Sequence, residues 1–107
     1  MTGCRSELSV KQEGSCNILV AEGAFDVDNA DIFQRAIEQL KESEKDCEAD
    51  LSGTTYFDTE CLKPLIDLTR CLRSHGKNVR IKVLANSVAA RIMETLGDAL
   101  ELDWSYV

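Results

Sequence analysis

The residues best suited to chemistry lie in one short run, Asp58-Thr59-Glu60-Cys61, with Lys63 just beyond. A carboxylate, a hydroxyl, a second carboxylate and a thiol stand side by side. Asp58 occupies the position of a helix N-cap, where a carboxylate accepts hydrogen bonds from the free N–H groups of the first turn. Thr59 then projects its hydroxyl from that turn. A phosphate on it would face free backbone N–H groups and the positive end of the helix dipole. This arrangement suits a phosphorylation switch better than a catalytic residue. Cys61 shares the turn, and a helix N-terminus can lower a thiol pKa. A small thiol-dependent enzyme using Cys61 is therefore the competing reading from a different class.

Other catalytic chemistry finds little support. His75 is the one histidine, and it precedes Gly76 where a helix is expected to end, so its role reads as structural. Asp67 and Lys77 stand where a Cys-x5-Arg phosphatase loop would need arginine after Cys61 and Cys71. No glycine-rich phosphate loop and no metal-spaced set of His and Cys occurs, and the expectation is no metal and no cofactor. The five cysteines, Cys4, Cys16, Cys47, Cys61 and Cys71, are odd in number and contain no Cys-x-x-Cys. They read as small reduced apolar residues. A phosphate-receiver domain would require an acidic pair after the first strand. Here Asp26 and Asp28 follow the second strand, with Asp50 or Asp58 left as acceptor.

The elements that must position these groups can be read from periodicity. Leu8 to Gln12 alternates as a strand, Gly14-Ser15 turns, and Asn17 to Glu22 makes a second, more central strand. Gly23 to Asn29 reads as a loop, with Asp28 or Asn29 capping a helix whose apolar set is Ala30, Phe33, Ala36, Ile37 and Leu40. Asp46 to Ser52 is a third strand, weak on propensity, and Leu51 and Gly53 are expected to close it. A second helix carries Cys61, Leu62, Leu65, Ile66, Thr69 and Leu72, with Gly76 as its left-handed cap. Pro64 conflicts with a regular helix from Thr59. Either the helix starts nearer Cys61 or its first turn is kinked. Val79, Ile81 and Val83 mark a strand. Asn86 or Ser87 caps a third helix through Leu96, closed by Gly97, and Ala99 to Trp104 can form a final strand. The alternation predicts an α/β fold: a small, mixed, mostly parallel sheet with helices chiefly on one face.

Length and composition bound the class. The 107 residues are expected to form a single domain, 1–107. No apolar run is long enough to span a membrane, and Met1 to Gln12 lacks the pattern of a signal peptide. A cytoplasmic protein without membrane insertion is expected. The net charge of −7 argues against general nucleic-acid binding. Charge is uneven: residues 1–60 balance to −9, residues 61–82 to +5 and the remainder to −3. A basic helix face on an acidic body can dock an acidic partner or simply be solvated.

Residues 8–102 resemble the STAS domain (sulfate transporter and anti-sigma factor antagonist). The resemblance rests on Gly23-Ala-Phe-Asp26, Asp50-Leu-Ser-Gly53, Phe57-Asp58-Thr59, Gly76 before a basic strand, and Gly97 ending the last helix. It implies a non-enzymatic, bacterial protein-binding regulator whose partner is an anti-sigma factor with serine kinase activity. Thr59 is then the phosphoacceptor; the unphosphorylated form binds and the phosphorylated form lets go. The implied contact surface is Asp26, Asp58, Thr59, Glu60, Cys61, Lys63 and the loop Ala85-Asn86-Ser87. Glu60 and Cys61 replace the Ser-Gly that often follows the phosphosite. The last amphipathic helix of many members is also not found after Gly97. Short STAS subunits of lipid-transport ABC systems provide the alternative within the family, in which the matching Thr contacts the transporter ATPase. Oligomeric state is open.

Overall fold

The computed structural model describes residues 6–107. Cys4 and the first positions of the leader reading lie outside the described residues. Glycine sets the first turn: Gly14 takes φ 63°, as a two-residue hairpin demands. It joins strand β1 (Glu7–Glu13) to β2 (Cys16–Phe25) in antiparallel register, with Glu13 opposite Cys16. Strands β3 (Asp46–Phe57), β4 (Val79–Val83) and β5 (Asp103–Tyr106) follow in parallel, and the sheet order is β1-β2-β3-β4-β5.

Each parallel strand is thus the neighbour of the one before it. Right-handed crossovers repeated in one direction bring the connecting helices to the same face. These are α1 (Ala30–Ser43), α2 (Thr59–Ser74) and α3 (Val88–Ile92), the last continued by a π-helical turn at Met93–Gly97. The covered face buries Leu19, Ala21, Ala49, Leu51, Ile81 and Val83 against Phe33, Ile37, Leu65, Leu68 and Leu72. The intervening residues, among them Arg80 and Lys82, line the other face, where Lys82 pairs with Glu48 at 3.6 Å. The α/β expectation holds. The receiver reading does not, because that fold orders its strands 2-1-3-4-5 and has no antiparallel hairpin at its edge.

Two strands run further than the sequence suggested. β2 continues through Gly23 to Phe25, and β3 continues through Gly53 to Phe57. Both glycines had read as strand ends. Gly23 instead takes φ 93° at a bulge, where the β2–β3 register shifts. Gly53 lets the backbones approach: a Cβ there would stand 3.0 Å from Glu22 Cγ and 3.4 Å from the Ala21 carbonyl.

The basic segment is also corrected. Its charges do not share one helix face, because Arg80 and Lys82 belong to β4 and point to the open side of the sheet, away from α2.

The C-terminal third differs in detail. The chain turns at 98–101, with Glu101 at φ 59°, and β5 begins only at Asp103. Gly97 is not a left-handed cap like Gly76 (φ 74°); it makes room for Trp104. A Cβ on Gly97 would meet Trp104 Nε1 at 2.6 Å, while that indole N–H donates to Asp98 Oδ1 at 3.2 Å. Gly97→Ala is expected to displace the indole and destabilise the fold by about 1–3 kcal/mol. Urea unfolding, together with the shift in tryptophan fluorescence, measures it.

Candidate functional site

Parallel pairing of Phe25 with Phe57 brings the ends of β2 and β3 together. The Asp58 N–H donates to the Phe25 carbonyl at 2.8 Å, which fixes Asp26 and Asp58 as neighbours. Each carboxylate then caps a helical turn. Asp26 accepts from the Asp28 N–H at 2.9 Å at the head of a 3-10 turn (Val27–Asn29), and Asn29 Oδ1 accepts from the Asp26 N–H at 2.8 Å. Asp58 Oδ1 accepts from the Glu60 N–H at 2.8 Å. The sequence reading placed the first cap at Asp28 or Asn29, and the structure gives the side-chain cap to Asp26 instead. Asn29 precedes α1 but makes no capping bond to it.

Helix α2 begins at Thr59 despite Pro64. Its first turn is closed tightly by the Cys61 N–H donating to the Asp58 carbonyl at 2.9 Å. Pro64 costs only the bond to the Glu60 carbonyl. Glu60 is exposed, so water can replace that bond, while the proline ring itself is buried. Thr59 is exposed at the first helical position. Among the described residues, nothing bonds its hydroxyl or its backbone N–H. Glu60 pairs with Lys63 at 3.0 Å, one turn along. These two residues form the near end of an open groove of about 650 Å³ between α1 and α2, whose walls include Asp31, Gln34, Ile66 and Arg70.

Tyr56 was not singled out from the sequence. Its hydroxyl donates to Asp58 Oδ2 at 3.3 Å, and the Asp58 charge and hydrogen bond raise its pKa. The available signal was its position two residues before the cap in an alternating strand.

Cys61 corrects the thiol reading. Its surroundings raise its pKa overall, despite a lowering backbone hydrogen bond at Asp58. Burial, then the charges of Asp58 and Asp26, push it from 9.0 up to about 11, and Sγ lies 3.8 Å from the Asp26 carbonyl. The side chain is fully buried, so it packs beneath the surface rather than contributing to it. Cys47 is pushed up further, to about 12, chiefly by burial. Two pKa units mean about 100-fold less thiolate at neutral pH, and only thiolate alkylates readily. Cys61 is expected to label with iodoacetamide at least about 100-fold slower than a free thiol peptide. Peptide mass mapping over time checks this, and fast selective labelling would restore the thiol enzyme.

The loop Ala85-Asn86-Ser87 follows β4. Asn86 takes φ 69°, and Ser87 caps α3 by accepting from the Ala90 N–H at 3.0 Å. The last β3–β4 pair is Asp50 with Lys82, after which β3 runs on to Phe57 beside β2 alone. Among the described residues, no hydrogen bond or ion pair joins this loop to Asp58 or Thr59. The site therefore has a connected centre (Asp26, Asp58, Thr59, Glu60, Lys63) and a separate loop. Asp26 and Asp58 are occupied as caps. Among the described residues, no three His, Cys, Asp or Glu side chains converge as a metal site requires.

His75 ends α2 as expected. Its Nδ1 lies 3.0 Å from the Cys71 carbonyl and its Nε2 lies 3.4 Å from Glu44.

Solved structures share this architecture. An anti-sigma factor antagonist from Mycobacterium paratuberculosis superposes with a TM-score of 0.79 at 16% identity, covering 94% of this chain and 85% of that one. The phosphorylated form of the Bacillus cell-fate determinant SpoIIAA matches with a TM-score of 0.72 at 8% identity, over 94% and 91%. A chain of the Pseudomonas aeruginosa complex of diguanylate cyclase SiaD with its activator SiaC matches at 0.64 and 14%, over 97% and 93%. At these identities the likeness is one of fold. A search of curated protein sequences gives no match. No helix among the described residues is long and apolar enough to cross a membrane. A family model described as the Mlab STAS domain matches residues 8–99, and the chain belongs to the STAS domain family.

Proposed function

We propose that this protein is a non-enzymatic regulator resembling an anti-sigma factor antagonist, that it binds a protein partner through the surface around Thr59, and that phosphorylation of Thr59 releases the partner. The observation that carries the reading is the state of Thr59. Its hydroxyl is exposed and unbonded at the first position of a helix whose cap is already satisfied by Asp58. A kinase can reach such a hydroxyl without unfolding anything. Asp58 and Glu60 flank it in the chain, Lys63 follows one turn on, and the α1–α2 groove, lined by Glu60 and Lys63, opens next to this turn. The Ala85–Ser87 loop enters this reading as a second contact on the same partner. The buried Cys61 supports the surface from below.

The proposal also holds that the whole chain acts as one domain in the cytoplasm. The similar solved chain from the SiaD–SiaC complex supports a binding role, since that structure has an activator engaged with another protein. The resemblance to short STAS subunits of lipid-transport ABC systems keeps the transport branch as the second reading.

Affinity purification of wild type and Thr59→Glu from the native cell separates the two, with captured proteins identified by mass. An ATP-binding anti-sigma kinase held by wild type and lost with Glu is the expected result. A transporter ATPase or permease in its place assigns the protein to transport. The same proteins captured by both variants would sink the Thr59-centred reading.

A further inference from the structure

Strand β1 ends the sheet, and among the described residues no element pairs with its outer edge. An unpaired edge is a template for another strand. Its sequence, Glu7-Leu8-Ser9-Val10-Lys11-Gln12-Glu13, is complementary to itself. We propose that two copies of this chain pair antiparallel through β1, centred on Ser9, to form one continuous sheet across a two-fold axis.

Three observations support this occupant and this register. The first is charge. With Ser9 opposite Ser9 of the second copy, Glu7 of each copy stands directly opposite Lys11 of the other. Moving the centre to Val10 would instead oppose Glu7 to Glu13 and repel.

The second is hydrogen-bond direction. In a two-residue hairpin the residues flanking the turn, Glu13 and Cys16, exchange backbone bonds, and bonding alternates along the strand. Glu7, Ser9, Lys11 and Glu13 thus bond inward to β2, while Leu8, Val10 and Gln12 present their N–H and C=O groups outward. The Ser9-centred register sets Leu8 against Val10, so outward groups meet outward groups. It also makes Glu7 and Lys11 a non-bonded pair, the kind whose side chains lie closer.

The third is the apolar surface beside the edge. Leu8 is half-buried, and Val10 is 45% exposed on the helix side of the sheet. On α1, Gln34 and Lys41 face α2. Ile32 lies about 200° around the helix from Gln34, on the β1 side, and is 50% exposed. Leu8, Val10 and Ile32 are thus an apolar strip along an open edge, and the Leu8–Val10 cross-strand pairs of the dimer cover it. The edge lies at the far side of β2 from β3, so Thr59 at the head of α2 is not the group that pairing consumes.

Charge exchange tests the register. Sedimentation equilibrium of wild type across a concentration series is expected to show a monomer–dimer equilibrium. Glu7→Lys alone leaves two lysines facing each other at both contacts, and Lys11→Glu alone leaves two glutamates. Each is expected to weaken the dimer about tenfold or more, with unchanged circular dichroism because both positions are exposed. Mixing the two variants restores opposite charges at both contacts and is expected to give a heterodimer, as is the double variant with itself. A wild type that stays monomeric at millimolar concentration overturns the proposal. So does a dimer indifferent to both single substitutions, or a mixture that fails to associate. Partner capture through Thr59 is a separate readout, and its loss or retention leaves these outcomes distinguishable.

Discussion

Phe33→Ala lowers the stability of this protein by about 3–5 kcal/mol, a large part of the 5–15 kcal/mol typical of a domain. Phe33 projects from α1 with no exposed surface. Its ring meets Phe25 edge-on at 5.7 Å and 64°, and Phe57 edge-on at 5.7 Å and 74°. Phe25 and Phe57 are the last residues of β2 and β3, so Phe33 joins one helix to the two strand ends that carry Asp26 and Asp58. Truncation removes the buried ring and its two aromatic contacts, and leaves a cavity that these strand ends cannot close without moving their caps. Phe33→Leu keeps most of the volume and is expected to cost about 1–2 kcal/mol. Urea titration of both variants measures the difference. A loss below about 1 kcal/mol for Phe33→Ala would mean that the three rings do not form a common core. Amide exchange adds a local readout: protection of the Asp58 N–H, which bonds to the Phe25 carbonyl, should fall further in Phe33→Ala than protection in β4.

The sequence disclosed what depends on local pattern. The hairpin at Gly14, the apolar stripe of α1, the alternation of β4 and the cap at Asp58 are all set by residues close together in the chain. The misread positions are those where a distant neighbour decides. Gly53 resembles a strand end until Glu22 is known to lie against it. Gly97 does end the last helix, but the need for glycine there comes from Trp104, which lies over it. Pro64 resembles a helix breaker unless the carbonyl it orphans is known to face water. Site chemistry divides along the same line. The cap at Asp58, and with it the position of Thr59 at the helix start, was legible because capping is local. The nearness of Asp26 to Asp58 depends on the pairing of Phe25 with Phe57, which no spacing reveals. Cys61 agrees with its reading as a small apolar residue; the activated-thiol alternative arose because the dipole of its helix is visible in sequence, whereas its burial and the two carboxylates nearby are not. Burial and like charge together outweigh the lowering effect of the backbone hydrogen bond at Asp58, and the thiol moves up instead of down.

Thr59→Glu weakens binding of the captured partner by several kcal/mol, on the order of 100-fold or more in Kd, while leaving the fold intact. Thr59→Ala changes it by a factor of a few. The asymmetry follows from the surroundings of the hydroxyl. Asp58 and Glu60 flank it, with the Asp26 cap nearby, so an added negative charge makes an already acidic surface more acidic for any partner that must dock on it. The one cation of that turn is Lys63, four residues on and paired with Glu60 at 3.0 Å. A carboxylate or phosphate at position 59 meets Lys63 in the favourable i to i+4 order and sits at the positive end of the helix dipole. The free protein is therefore expected to gain a few tenths of a kcal/mol in stability from Thr59→Glu. A partner docked on the same surface meets the opposite balance, because it must desolvate the added charge and Lys63 is already drawn to it. Calorimetry of binding and urea unfolding, run on the same two variants, read these effects separately. Weaker binding with unchanged or raised stability is the signature of a charge switch at Thr59. Weaker binding with a matching loss of stability would mean that glutamate damages the helix start, and equal affinity for Glu and Ala would remove Thr59 from the contact altogether. Adding Lys63→Met to Thr59→Glu sharpens the distinction. It should remove the Lys63 share of the gain in stability, leaving the smaller dipole share, and keep the binding defect, since the charge that repels the partner then lacks its nearest cation.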